Sequence, residues 1–155
     1  MANWCNNRIT FEGNQNILYP FKKDFKESVS NEVGFNLLDG IGDYTPQYFF
    51  FNFDEVEDSY GYTFNCDTKW APPFIELQNI CKKYNISCRC EYEEWGVGFA
   101  GVCHIDPDGH MEDSQFPYEK LTHSNDEDSW DVEFMGERYE SIYECFAQWV
   151  DANGL

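Results

Sequence analysis

Two stretches of the chain alternate cleanly between apolar and polar positions. In the first, Cys5, Asn7, Ile9 and Phe11 alternate with Trp4, Asn6, Arg8, Thr10 and Glu12, which predicts a half-buried strand over residues 3–12, ended by Gly13. In the second, Ile86, Cys88, Cys90 and Tyr92 alternate with Ser87, Arg89, Glu91 and Glu93, which predicts a second such strand. Between them the period lengthens. Ile17, Leu18, Phe21, Phe25 and Val29 recur at helical spacing behind a capping Asn14, and Pro20 predicts that this helix starts at or just before it. Phe74, Leu77, Ile80, Cys81 and Tyr84 repeat helical spacing behind Pro72-Pro73, with Asn85 placed as a C-cap.

The remaining pattern fills in around these. Gly34 to Leu38 reads as a short strand, Asp39 to Asp43 as a loop, and Tyr48 to Phe53 as a strand with large residues on both faces. Asp54 to Asp58 reads as an acidic loop, Tyr62 to Cys66 as a strand, and Thr68 to Pro73 as a corner. Gly96 and Gly98 permit a tight return into a strand over Phe99 to Ile105, and Asp106-Pro107-Asp108-Gly109 signals another reversal. From Met111 the pattern is less regular. Phe116-Pro117-Tyr118 reads as an anchored loop, Asn125 to Asp128 as an acidic loop, and Trp130, Val132 and Phe134 as a strand ended by Gly136. Tyr139 to Val150 reads as a final helix, with Ile142, Phe146, Trp149 and Val150 on its apolar side.

Strand, helix, two strands, helix, strand is the ferredoxin-like βαββαβ order. The expected fold class is α+β: an antiparallel sheet, helices mainly on one face, and a C-terminal hairpin and helix extension. One domain over residues 1–155 is expected, with a core at 3–105 and an acidic extension at 106–155.

Composition sharpens this in three ways. Aromatic residues make up 19% of the 155 residues, enough to bury a core without staples and to exclude disorder as the main state. Ten Lys plus Arg against 29 Asp plus Glu leave a net charge of −19, which repels nucleic acid and anionic membrane and attracts basic proteins. Solubility alone accounts for the same charge. The cysteines are Cys5, Cys66, Cys81, Cys88, Cys90, Cys103 and Cys145, an odd count. With no basic-then-apolar leader at Met1-Ala2-Asn3-Trp4 and no apolar run near the ~20 residues a membrane span needs, a cytoplasmic location and reduced, buried thiols are expected. Lys22, Lys23 and Lys26 form a small basic cluster, read as a solvated helix face.

Three segments carry a family resemblance. Asn3-Trp4-Cys5-x-Asn7-x-Ile9-x-Phe11-x-Gly13, Phe64-x-x-Asp67-Thr68-Lys69-Trp70-Ala71-Pro72-Pro73 and Tyr92-x-Glu94-x-Gly96-x-x-Phe99-Ala100-Gly101 resemble the opening, corner and hairpin of the YubB-type ferredoxin-like domain proteins, which plasmids and phages carry. The resemblance runs over residues 3–101 and implies the fold and a mobile-element origin. It implies no iron–sulfur cluster, because the name denotes topology, and no activity that could be transferred.

The candidate chemistry is sparse. Cys88, Cys90 and Cys103 with His104 meet structural-zinc spacing only in part, and Asp106 to Gly109 lacks the register of a calcium loop, so no metal and no cofactor are expected. His104, His110 and His123 sit in no nucleophile motif, so no catalytic residue is assigned. The acids are segregated instead. From Glu91 to Glu144, sixteen acids face Lys120 and Arg138, a net −14. The residues expected to form an acidic binding face are Glu91, Glu93, Glu94, Asp106, Asp108, Glu112, Asp113, Asp126, Glu127, Asp128, Asp131 and Glu133.

The expectation is a small non-enzymatic phage or plasmid protein. It binds and inhibits a basic host protein, such as a defence nuclease or another nucleic-acid-binding protein, with mimicry of DNA as one route. The alternative is a module that sequesters a small molecule or nucleotide, acting as a dimer, with the aromatic strand Tyr48 to Phe53 as pocket or interface.

Overall fold

The computed structural model describes residues 3–28, 51–57, 61–124 and 129–155. The backbone order is β1 (Trp4–Glu12), α1 (Gln15–Ser28), β2 (Phe51–Val56), β3 (Tyr62–Lys69), α2 (Phe74–Tyr84), β4 (Ser87–Glu94), β5 (Phe99–Ile105), β6 (Met111–Gln115), a short 3-10 turn at Tyr118–Lys120, β7 (Leu121–His123), β8 (Val132–Phe134), β9 (Glu137–Tyr139) and α3 (Ile142–Asn153). Six strands form one sheet in the order β2-β3-β1-β4-β5-β6, and β7, β8 and β9 form a second, small one. Every pairing is antiparallel. The first four places are the ferredoxin-like arrangement, in which each helix carries the chain over one intervening strand. β5 and β6 widen the sheet by successive hairpins.

Alternation in β1 divides the molecule in two. Cys5, Asn7, Ile9 and Phe11 are buried beneath the helices, while Trp4, Asn6, Arg8 and Glu12 face outward. The helix face of the sheet packs Leu18, Phe21 and Phe25 of α1 and Leu77, Ile80 and Cys81 of α2 against Ile9, Phe11, Phe64, Cys88, Cys90 and Ile105. Among the described residues, the other face is covered toward β5, where Ala100 and Val102 meet Phe116, Val132, Phe134, Phe146 and Val150 in a second core. α3 and the small sheet therefore lie on the face opposite α1 and α2.

Several expected boundaries move, each for a local reason. α1 begins at Gln15, not at Pro20, because the Asn14 carbonyl already takes the N–H groups of Ile17 and Leu18 and the Asn14 side chain takes that of Asn16. Pro20 then lies inside the helix, where it lacks one donor without ending it. Asp54, Glu55 and Val56 belong to β2 and not to a loop: they pair with Asn65, Phe64 and Thr63. β3 continues through Thr68 and Lys69, so the corner starts at Trp70. β6 is a sixth strand where an irregular segment was expected. Its acids Glu112 and Asp113 hid its pattern, yet charge on an edge strand is how such strands avoid pairing with other chains. The last helix starts at Ile142 because Ser141 caps it and Tyr139 ends β9. The β8–β9 turn at Met135 and Gly136 has positive φ at both positions, the geometry of a two-residue hairpin loop. The expected strand at Gly34 to Leu38, the loop at Asp39 to Asp43 and residues 48–50 lie outside the described residues.

Candidate functional site

α3 covers only part of the outer face, and a groove of about 420 Å³ remains between it and the strands β2, β3, β1 and β4. Its floor follows from strand register. Asn6 of β1 lies between Asp67 of β3 and Glu93 of β4, and Arg8 lies between Asn65 and Glu91. β2 contributes Asn52, whose φ of 50° sits where the β2–β3 register shifts between Phe51 and Asp54. Such a bulge re-aims a side chain, and Asn tolerates the left-handed region better than most residues. The re-aimed Asn52 amide donates to Asp67 Oδ2. Tyr143, Phe146 and Ala147 of α3 make the wall.

α3 is fixed at its N-terminus and along its length. Its N-terminus is capped by Ser141 Oγ, which accepts from the Glu144 N–H at 3.2 Å, while the Glu144 carboxylate accepts from the Glu140 N–H at 2.9 Å. This near-reciprocal pairing is legible as Ser-x-x-Glu. Phe146, Cys145 and Val150 anchor its length in the second core.

The charges of the groove are unevenly satisfied. Glu91 accepts from Arg89, which also donates to the Leu155 carbonyl at 3.1 Å. Glu93 accepts from Trp95 Nε1 at 3.0 Å. Burial holds the Glu93 carboxyl above the usual carboxylate range, although hydrogen bonds from Trp95 and Asn6 pull the other way. Arg8 and Asn65 have no side-chain partner among the described residues. Among the described residues, a guanidinium and an amide are thus left without a side-chain partner beside three carboxylates.

The acids expected to form one binding face separate into different roles. Glu91 and Glu93 line the groove, and Glu112 shares their face through its pairing with His104. Glu94 is not at the surface. It is 7% exposed, and its carboxylate accepts from the N–H groups of Gly96 and Val97, tying the β4–β5 turn. Asp113 lies on the helix side and accepts from Tyr92 Oη at 2.7 Å, which pins β6 across β5. Gly101 leaves the room for that tyrosine, since a Cβ there would meet its hydroxyl. Asp106 accepts from the N–H groups of Asp108 and His110 and so shapes the β5–β6 turn, with Asp108 exposed at its tip. Asp131 pairs with Arg138, which lowers the Asp131 pKa, and Glu133 is exposed on β8. Asp126, Glu127 and Asp128 lie outside the described residues. Strand alternation forces much of this split, because neighbours such as Glu93 and Glu94 must face opposite sides.

A second hollow, of about 320 Å³, brings His104 and His110 near Arg89, Glu12 and Glu112. Ser87, the hydroxyl there, donates to the Glu12 carbonyl, so it is not held by a histidine. The seven cysteines are buried and free. Burial pushes Cys5 and Cys103 up to about 12, Cys145 to about 11, and raises Cys66, Cys88 and Cys90 as well. Thiols so protonated are poor nucleophiles and poor ligands. Among the described residues, no three His, Cys, Asp or Glu side chains come together to hold a metal ion. Among the described residues, no helix is long and apolar enough to cross a membrane.

Sequence pattern showed the groove's two central strands but not the groove. Asn52 and Asn65 carried no functional signal, and Asp67 figured only in the corner of the family resemblance, because the bulge and the position of α3 arise only on folding. Glu76 was also missed: it is wholly buried on α2 among helix-face residues.

Comparison with known proteins adds one finding. A family model described as a ferredoxin-like domain in Api92-like protein matches residues 49–134, from β2 through β8. The similarity therefore extends past residue 101, through β6 and into the small sheet. No curated protein and no solved structure matches the chain.

Proposed function

The chain belongs to the family of ferredoxin-like domains in Api92-like proteins, and on that premise we propose that it is a non-enzymatic binding protein that seats a basic partner protein on the open face of its sheet. The observation that carries this reading is the groove beside α3, where Asp67, Glu91 and Glu93 lie around Arg8, the one cation that lines it among the described residues. A net charge of −19 steers a basic partner toward it from outside contact distance. The resemblance to YubB-type proteins of plasmids and phages makes a host protein the natural target and inhibition the natural result. A nuclease or other nucleic-acid-binding protein has the required charge. DNA mimicry is the form in which the acids of the open face occupy its nucleic-acid surface.

Affinity capture from a bacterial lysate tests this, with the native chain and with Asp67→Asn/Glu91→Gln/Glu93→Gln side by side. A basic protein retained at 50 mM salt, released at 500 mM and lost with the triple variant is the expected result. Equal retention by both chains refutes it. The groove's volume also falls in the range of small-molecule sites, which favours the second reading, a sequestering module. A defined compound released when the purified protein is denatured would establish that reading in place of the first.

A further inference from the structure

We infer that the groove receives a single arginine side chain of the basic partner, with carbonyl groups of the presenting segment held by Arg8 and Asn65. The inference rests on the partner-binding reading above and specifies what enters the site.

The groove asks for two kinds of group at once. Asp67 and Glu93 flank Asn6 of β1 on either side, whereas Arg8, two residues further along, is flanked by Asn65 and by Glu91, whose carboxylate already accepts from Arg89. Two residues of strand separate the acceptor end from the donor end by roughly 7 Å. A polyamine would satisfy the carboxylates and bring no acceptor to Arg8. A phosphate or carboxylate would satisfy Arg8 and meet the repulsion of three acids. A basic residue within a peptide carries both complements, a cation at the end of a long stem and backbone carbonyls at its root.

Geometry selects arginine over lysine. The groove is walled on one side by the rings of Tyr143 and Phe146, against which a planar, weakly hydrated guanidinium stacks, while an ammonium retains its water. Asp67 has one oxygen occupied by the Asn52 amide, so the carboxylate is already oriented when a second donor arrives. Preorganised acceptors spare the ordering cost of binding. At about 420 Å³ the groove takes one long side chain with its flanking backbone. It is too small for a helix, which is 10–12 Å across with its side chains.

Blocked tripeptides test this directly: acetyl-Gly-Arg-Gly-amide, its lysine analogue and its citrulline analogue, titrated into the ¹⁵N-labelled full chain. The arginine peptide should shift amides of residues 6–8, 65–67 and 91–93. The lysine peptide should bind about tenfold more weakly, and the uncharged citrulline peptide should leave the spectrum unchanged. Asp67→Asn/Glu93→Gln should abolish the shifts, and Arg8→Gln should weaken them, with each variant's own spectrum reporting that it is folded. Equal shifts from arginine and citrulline, or shifts confined to residues outside the groove, overturn the inference. Absence of any shift at millimolar peptide overturns it too. If the groove triple variant still loses the lysate partner in that case, the partner reading stands and only the arginine assignment falls. If the arginine peptide binds but no basic protein is captured, the occupant is right and the proposed function is wrong.

Discussion

Phe116 sits among the rings of the second core, and truncating it should loosen that core while leaving the first intact. The ring is 4% exposed and meets four others: Phe134 at 5.0 Å between centroids, Trp149 at 5.5 Å, Phe146 at 5.8 Å and Trp95 at 6.1 Å. Removing a buried phenylalanine costs about 3–5 kcal/mol, and ring pairs contribute about 0.5–1.5 kcal/mol each beyond their area. Phe116→Ala should therefore lose about 4–5 kcal/mol from the part of the protein it holds. Domains have only about 5–15 kcal/mol in total. The loss should be local, because Phe116 belongs to the cluster of α3 and the small sheet and not to the cluster beneath α1 and α2. Hydrogen exchange read by mass spectrometry distinguishes the cases. Protection should fall in β8, β9 and α3 and persist in β1 and β4. The arginine peptide should then lose its site, since Tyr143 and Phe146 of the wall leave with α3. Uniform loss of protection across β1 and α3 would show that the two cores are one cooperative unit, and a destabilisation below about 1 kcal/mol in urea would refute the packing role given to the ring.

Three further outcomes follow from named contacts. Glu94→Ala removes a buried carboxylate that accepts two backbone N–H groups in the β4–β5 turn, and should cost about 1–3 kcal/mol by urea denaturation; a change under about 0.5 kcal/mol would mean that the turn holds itself. Because burial raises the Glu93 carboxyl in the folded state, the folded chain binds its proton more tightly than the unfolded one. That contribution is present below the ordinary carboxylate range and lost as pH rises through the raised value, so Glu93→Gln should leave the protein at least as stable at pH 7; lower stability there contradicts the assignment. The seven thiols should resist Ellman's reagent in the native state at pH 8 and all react in denaturant, and rapid native labelling of any one would contradict their burial.

Much of the fold was legible locally. β1, α2, β4 and the β4–β5 hairpin announce themselves because alternation, helical spacing and a proline pair each depend on near neighbours in sequence. Asn85 sits at φ 54°, the left-handed cap its position suggested. The elements that escaped were those whose pattern is set by distant partners. β6 reads as polar because it is an edge, and β2 reads as a loop beyond Phe53 because Asp54 and Glu55 owe their extended backbone to β3.

The acidic residues show the same division. Their number, and hence the −19 charge and its pull on basic partners, is a property of the sequence alone. Which of them can meet a partner is not. Glu93 and Glu94 are adjacent in the chain, yet one lines a groove and the other is sealed into a turn, because a strand sends neighbours to opposite faces. Local periodicity and composition carried β1, both flanking helices, β4, the two apolar stripes and the charge. Long-range packing placed α3 on the face opposite α1 and α2, beside the strands that floor the groove. The groove of Asn6, Arg8, Asn52, Asn65, Asp67, Glu91 and Glu93 exists for that reason, since it is made from four strands and a helix that meet only when the chain is packed.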